Sequence, residues 1–579
     1  MFVATSSYTW LRRGHMRVCL TVTIALATAV IPPHASGQAR NAPSQCIAIG
    51  LEILVPADIV NCHHLHGKPA PPPESFTGTP GNDRIKGTYV DDDFDMSQGG
   101  DDIVKGRKRY DYFYFGSEFT AADKIDGGDD EDILAIGGDY AAGVTFGPKT
   151  MINVEELDMY GSLYGGGSYT IKLNDATVAS GGYLLAYLFD SYQEPDFLDF
   201  DASAETSGDI LVQTLGKESD HIVGGGGNDY INGGRLINDV LDGGGGNNVV
   251  SFATAGQAVN VSLLLQGDPQ DIGGGHYVTL GHFESLTGSS GTDTLIGDDG
   301  SNWIATNGGS DNVQANGGDD LVQVGDYVPY TAVTADGGSG DDTITFEKSQ
   351  TAGVTFSLTL QGTAQQTGEG GTVTATAFEH LVGTDLFDDS LSGNSGKNHI
   401  FGGGGNDVLS GAGGNDVLYG DGVYRRKFTD VKNVGFSGFA VIETGTGNDT
   451  LDGGAGDDKL IGGPGADSLT GGKGADKFIF ESPSDSLPGS GNRDLILDFG
   501  HAQGDQIDLH KIDADSTVSG NQAFHLGGSA FTGSPGELIQ FIDDNGHTIV
   551  AGDVNGDAVA DLEIEFAQGV TLVSGDFVL

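Results

Sequence analysis

A nine-residue rhythm constrains this chain more than any other feature. Residues 402–419 read GGGGNDVLS and GAGGNDVLY, and 453–479 keep the same step. Each position has a physical task. Glycines permit a tight turn with positive φ and let backbone carbonyls approach one another. The sixth-position Asp supplies a hard oxygen ligand, and the apolar residue two places later makes one core contact on a very short strand. A turn, a ligand and a core residue every nine positions describe a coil that stacks on itself around metal ions. The expected fold is all-β, with parallel β-roll or β-solenoid blocks, interspersed longer strands and a C-terminal β-rich cap.

The rhythm extends well beyond those two blocks. Its candidate metal ligands are Asp83, Asp102, Asp220, Asp229, Asp293, Asp311, Asp320, Asp342, Asp389, Asp407, Asp416, Asp449, Asp458, Asp467 and Asp476. The same phase passes through Asp123, Asp132 and Asp239, and through Asn248, Asn302 and Asn398, whose neutral oxygens make weaker ligands. Two residues after each stands Ile, Leu, Val or Phe. A Gly/Asp-rich linker has no reason to hold apolar residues in phase with Asp. In 16 of 21 units a Gly precedes the sixth position by two; Ala121, Asp130, Glu218, Ile237 and Phe387 mark weaker turns.

Oxygen is the only donor the repeat offers. Calcium accepts six to eight oxygens with loose geometry, whereas magnesium demands a strict octahedron and zinc favours nitrogen or sulfur. The formal charge of -55, from 82 acidic against 27 basic residues, calls for cations and argues against nucleic-acid binding and anionic membrane surfaces. In a low-calcium compartment the clustered carboxylates repel, so binding and folding are expected to be one event.

Residues 1–37 read as a signal peptide: Arg12, Arg13 and Arg17, an apolar run from Val18 to Ile31, then small residues. No other segment approaches membrane-spanning length. Residues 38–76 read as a linker in which Cys46 and Cys62 either form one disulfide or remain two thiols. His63, His64 and His66 beside Cys62 read as a solvated tract rather than a zinc site.

Residues 77–250 form an irregular repeat and strand region. A duplicated strand-plus-coil unit follows at 251–345 and 346–422, since Phe283-Glu284-Ser-Leu286 returns as Phe378-Glu379-His-Leu381 at an offset of about 95. The calcium β-roll is expected at 423–480, and 481–579 as a secretion or cap domain. Asp553, Asn555 and Asp557 have EF-hand-like spacing, but Ala558 and Ile564 stand where that loop needs Gly and Glu, which favours a plain turn.

The grammar at 393–419 and 445–480 resembles the RTX family of secreted bacterial proteins, whose GGxGxDxUx nonapeptide builds a calcium-binding parallel β-roll. The resemblance implies that each turn pairs with the one two nonapeptides on, Asp449 with Asp467 and Asp458 with Asp476. Asp494-Leu-Ile-Leu-Asp-Phe499 and the acidic, then apolar, end Gly575-Asp-Phe-Val-Leu579 are similar to the C-terminal domain of serralysin-type members, which type I export machinery reads. The family implies an extracellular protein of a Gram-negative bacterium, with calcium ions and export machinery as partners; a role at the cell surface, in adhesion or matrix assembly, adds cell-surface or matrix polymers as expected partners. No HExxH, G-x-S-x-G or GxxxxGK[ST] motif occurs. A non-enzymatic calcium-binding protein is therefore expected. The rival is a secreted hydrolase with a site in 77–215, for which Glu155, Glu156 and Asp158 are the acid–base candidates.

Overall fold

The computed structural model describes residues 73–579 apart from 161–166, 190–196, 215–218, 235–237, 326–329, 349–350, 369, 429–435 and 443–445. The expected signal peptide, the Cys46–Cys62 pair and the His63–His66 tract lie outside the described residues. No described helix is long and apolar enough to cross a membrane.

Each nonapeptide leaves three residues between turns and buries one. In Ser390–Ser392 the buried residue is Leu391, and in Val408–Ser410 it is Leu409. Such a strand is too short to hold alone and is stabilised by stacking. Leu391, Leu409, Leu451, Leu469 and Ile496 lie in parallel register on one wall. Leu381, Ile400, Leu418, Leu460, Phe478, Ile507 and Phe577 lie in register on the other. The two rows face each other across one continuous apolar core.

Among the described residues the second wall is a sheet of 20 strands, all parallel, from Glu74–Thr77 to Phe577–Val578. The facing wall is divided among sheets of 4, 7, 6 and 10 strands. Two of the divisions fall at Asn260–Ser262 and Thr355–Ser357, where the duplicated units begin. The duplication extends to single hydrogen bonds. Gln266 Oε1 accepts from the Phe283 amide and its Nε2 donates to the Phe283 carbonyl, both at 2.8 Å. Gln361 does the same to Phe378 at 3.2 and 2.7 Å. Likewise the Ser262 amide donates to Gln270 Oε1 and the Ser357 amide to Gln365 Oε1, each at 2.9 Å.

Within 423–480, the block expected as the calcium β-roll, Val423–Phe428 and Phe436–Ile442 pair as an antiparallel hairpin. The coil closes beneath it without losing register, for Leu409 pairs with Leu451 and Leu418 with Leu460. The C-terminal segment extends both walls, through Asp494–Ile496 and Gln506–Asp508. It then adds the antiparallel strands Glu537–Ile542, Thr548–Asp553 and Leu562–Phe566.

Candidate metal centre

Stacking the coils brings the sixth-position residues into ladders along the edges of the walls. The backbone amide of each donates to Oδ1 of its counterpart one full coil on. One run of five passes through Asp389, Asp407, Asp449, Asp467 and Asp494, at 2.8, 2.7, 2.8 and 2.9 Å. A second passes through Asn398, Asp416, Asp458, Asp476 and Asp505 at 2.8, 2.8, 2.9 and 3.1 Å. Shorter runs join Asp83, Asp102 and Asp123, Asp220 and Asp239, Asp229 and Asn248, Asp293 and Asp311, and Asn302, Asp320 and Asp342. The pairs Asp449–Asp467 and Asp458–Asp476 are thus neighbours in space, as the nonapeptide register anticipates.

Each ladder bond uses one carboxylate oxygen. The fate of the other divides the turns into two kinds. In open turns Oδ2 is buried with no hydrogen-bond partner: Asp311, Asp320, Asp342, Asp407, Asp416, Asp449, Asp458, Asp467 and Asp476 are of this kind. In closed turns a backbone amide takes it. Thr79 donates to Asp83, Gly225 to Asp229, Ser289 to Asp293 and Thr384 to Asp389, at 2.5–2.7 Å. Asp220 Oδ2 instead accepts from the Thr214 hydroxyl. At Asp102 only the ladder bond to Oδ1 is formed.

The backbone four residues earlier separates the closed turns at Asp83, Asp229 and Asp293 from eight of the open ones, while at Asp389 the closing amide lies five residues earlier. Ahead of Asp407, Asp458, Asp467 and Asp476 stand Gly403, Gly454, Gly463 and Gly472, with φ from 93° to 109°. Asn307, Asn316, Gly338 and Ala412 take the same left-handed form ahead of Asp311, Asp320, Asp342 and Asp416. Left-handed backbone turns that amide away from the carboxylate. The turn's first glycine completes the cradle. A Cβ on Gly402 would lie 2.2 Å from Asp407 Oδ2 and 2.4 Å from the Gly420 carbonyl. No side chain fits there, and the oxygens that exclude it are the hard donors a calcium ion accepts.

An orphaned, buried carboxylate is costly unless it is protonated or met by a cation. Burial accordingly pushes Asp311, Asp320 and Asp407 up to about 8, Asp416, Asp449 and Asp467 to about 7, and Asp342 and Asp476 to about 6. Neighbouring ladder carboxylates add to the rise at Asp407, Asp416 and Asp449.

Several participants escape the nonapeptide reading. Asp494 continues the first ladder with its Oδ2 orphaned. Asp421, at a turn position where the repeat has glycine, is buried beside Asp449, Asp467 and Asp407, and burial pushes it up to about 8. The fifth position carries a counter-ladder: the amides of Asn448, Ala466 and Ala475 donate back to Asn406, Asn448 and Asp457 at 2.8–2.9 Å. The recurring Asn-Asp pair was the signal for it.

Glu155, Glu284 and Glu379 terminate runs. Each accepts the last ladder amide on Oε2, from Asp132, Asn248 and Asp342, and each donates its own amide to that residue's carbonyl. The apolar-Glu-x-Leu pattern at 154–157, 283–286 and 378–381 marks them in the sequence. Glu155 is thereby placed as a clamp rather than a solvated acid. Asp158, buried on Glu156–Tyr160, accepts from the Tyr160 hydroxyl at 2.7 Å.

Asp553 caps its own turn, accepting the amides of Gly556 and Ala558, as a plain turn requires. Among the described residues, Asp543, His547 and Glu565 alone group with mixed-donor metal spacing. Arg493 already lies on Asp543 and Glu565 at 3.6 and 2.6 Å.

Residues 216–235, 238–252, 287–322, 384–422 and 435–478 match the family model for the RTX calcium-binding nonapeptide repeat. No curated protein matches the chain. Among solved structures it is similar to the AlgE6R3 subunit of the Azotobacter vinelandii mannuronan C5-epimerase, at 27% identity, over 33% of this chain and 77% of that one, with a TM-score of 0.17. It is also similar to the extracellular lipase LipA of Serratia marcescens at 16% identity and a TM-score of 0.13. That match covers 50% of this chain and spans 40% of the lipase's own length.

Proposed function

We infer that this chain, a carrier of RTX calcium-binding nonapeptide repeats, is an exported protein whose coil takes up several calcium ions and folds as it does so. The observation that carries this reading is the row of orphaned, buried Oδ2 atoms at Asp407, Asp416, Asp449, Asp458, Asp467 and Asp476. A fold that leaves so many carboxylate oxygens without donors needs a counter-ion to be stable at neutral pH. Calcium at a hundred times its Kd adds about 2.7 kcal/mol per site, and coils in a stack are coupled to their neighbours. Cytosolic calcium is too scarce to drive this, so the chain stays open for export and closes outside. The basic-then-apolar N-terminus and the acidic-apolar C-terminus both support an extracellular destination. Once closed, the long coil suits display at a cell surface or in a matrix.

The test is circular dichroism of the full chain during stepwise calcium addition after exhaustive chelation. A β-sheet signal that rises cooperatively with calcium supports the reading. A full signal in excess chelator at pH 8 overturns the coupling of folding to calcium.

A further inference from the structure

Upstream of every stretch that matches the repeat, another ladder runs through Asp92, Asp111, Asp132 and Glu155. The turn before Asp111 reads Gly106-Arg-Lys-Arg-Tyr-Asp111, and that before Asp132 reads Gly127-Gly-Asp-Asp-Glu-Asp132. Neither carries the repeat's glycine two places before its Asp, where Arg109 and Asp130 stand instead. Both nevertheless adopt the open form.

Asp111 and Asp132 are 1% and 0% exposed, and Oδ2 of each has no hydrogen-bond partner. A Cβ on Gly106 would lie 2.0 Å from Asp111 Oδ2 and 2.5 Å from the Gly127 carbonyl. One on Gly127 would lie 2.3 Å from Asp132 Oδ2 and 1.9 Å from the Asn153 carbonyl. These cradles match the one at Gly402 within a few tenths of an ångström.

The backbone is held in this form against its own preference. Arg107 and Arg109 have φ of 110° and 70°, and Asp130 has 80°. Left-handed backbone is disfavoured for a non-glycine residue, and such conformations persist where surrounding structure imposes them, often at functional sites. Two of the three basic side chains of the first turn are engaged elsewhere. Arg107 lies 3.7 Å over the Tyr89 ring, and Lys108 pairs with Asp129 at 3.0 Å. Parallel pairing of Ile103–Lys108 with Lys124–Asp129, and of Tyr112–Gly116 with Ile133–Gly137, stacks the two turns directly.

We propose that the stacked turns 106–111 and 127–132 form a further calcium site, with Asp111 and Asp132 as its carboxylates and the Gly127 and Asn153 carbonyls beside them. It rests on the reading that open turns hold calcium, and it extends that reading to turns outside the stretches that match the repeat. The irregular N-terminal region then folds under the same calcium control as the C-terminal blocks. Asp92 supplies the internal contrast: its Oδ2 accepts from the Thr88 amide at 2.6 Å, so its turn is closed.

The experiment counts bound calcium per full-length chain by equilibrium dialysis, for the wild type, Asp92→Asn, and the double variant Asp111→Asn with Asp132→Asn. Asn keeps the Oδ1 acceptor of the ladder, as Asn248 does for Asp229 at 2.8 Å, so these variants are expected to fold in calcium. The double variant should lose at least one ion per chain, and Asp92→Asn none. If the double variant does not fold, the single substitutions are read in the same way. An unchanged count in a folded Asp111→Asn or Asp132→Asn chain overturns the proposal. A wild type that binds no calcium overturns the broader reading instead, so the two failures are distinct.

Discussion

The amide of Asp449 donates to Oδ1 of Asp467 across 2.8 Å, while Oδ2 of both carboxylates is buried without a partner. One bond fixes the spacing of successive coils, and the leftover oxygen faces the gap between them. Structure and ligand are divided between two atoms of one side chain.

That division predicts opposite behaviour for open and closed turns. Asp467→Asn keeps the ladder acceptor and removes the buried charge. It should raise the melting temperature in chelator at pH 8 and lower it in saturating calcium. Asp293→Ala removes bonds from Ser289 and from the Val259 amide, and should cost on the order of 1–3 kcal/mol with and without calcium. Melting curves of both variants in the two buffers check this; the same sign for Asp467→Asn in both would contradict it.

The calcium-free coil should be more stable in mild acid than at pH 8. Ladder carboxylates such as Asp407 and Asp320 titrate at about 8 when folded, against an ordinary 3.8. The folded form holds its protons more tightly, so this stabilisation is complete below about 3.8 and is lost as pH rises through about 8. Thermal melts in chelator at pH 5 and pH 8 check the direction. Calcium competes with those protons, so its apparent affinity should rise across the same window.

Leu451→Ala should cost about 2–5 kcal/mol, as for other buried Leu truncations. The loss should spread to neighbouring coils because each is supported mainly by the next. Val408, 51% exposed on an adjoining strand, should tolerate Ser within about 0.5 kcal/mol. Denaturant unfolding in calcium compares them.

Asp421→Asn removes a buried carboxylate that feels Asp449, Asp467 and Asp407. In chelator at pH 8 the variant should melt higher than the wild type. A lower melting temperature would show that the charged form is already compensated.

Much of this was legible because the repeat couples chemistry to phase. The step from Asp449 to Asp458, Asp467 and Asp476, with Leu451, Leu460, Leu469 and Phe478 behind, gave both walls of the coil and the ladder neighbours. The duplicated Phe283 and Phe378 segments were visible for the same reason. Which turns are open was not legible from residue type alone. Gly225 and Gly403 are the same residue four places before an Asp, yet only Gly403 has positive φ, and the Gly225 amide closes on Asp229. Arg107 and Arg109 carry no left-handed signature at all; stacking on the following turn imposes their form. An apolar-Glu-x-Leu pattern marks the clamps at Glu155, Glu284 and Glu379, but the amide each accepts lies 23 to 37 residues away, and that pattern does not name it.

The most direct measurement is isothermal calorimetry of calcium into the chelated full-length chain, with circular dichroism on the same samples. Several ions bound per chain, with β-sheet signal appearing over the same calcium range, is the expected result. A chain already fully β in chelator at pH 8, or one that takes up no calcium while folded, would contradict the assignment of the orphaned ladder oxygens to calcium.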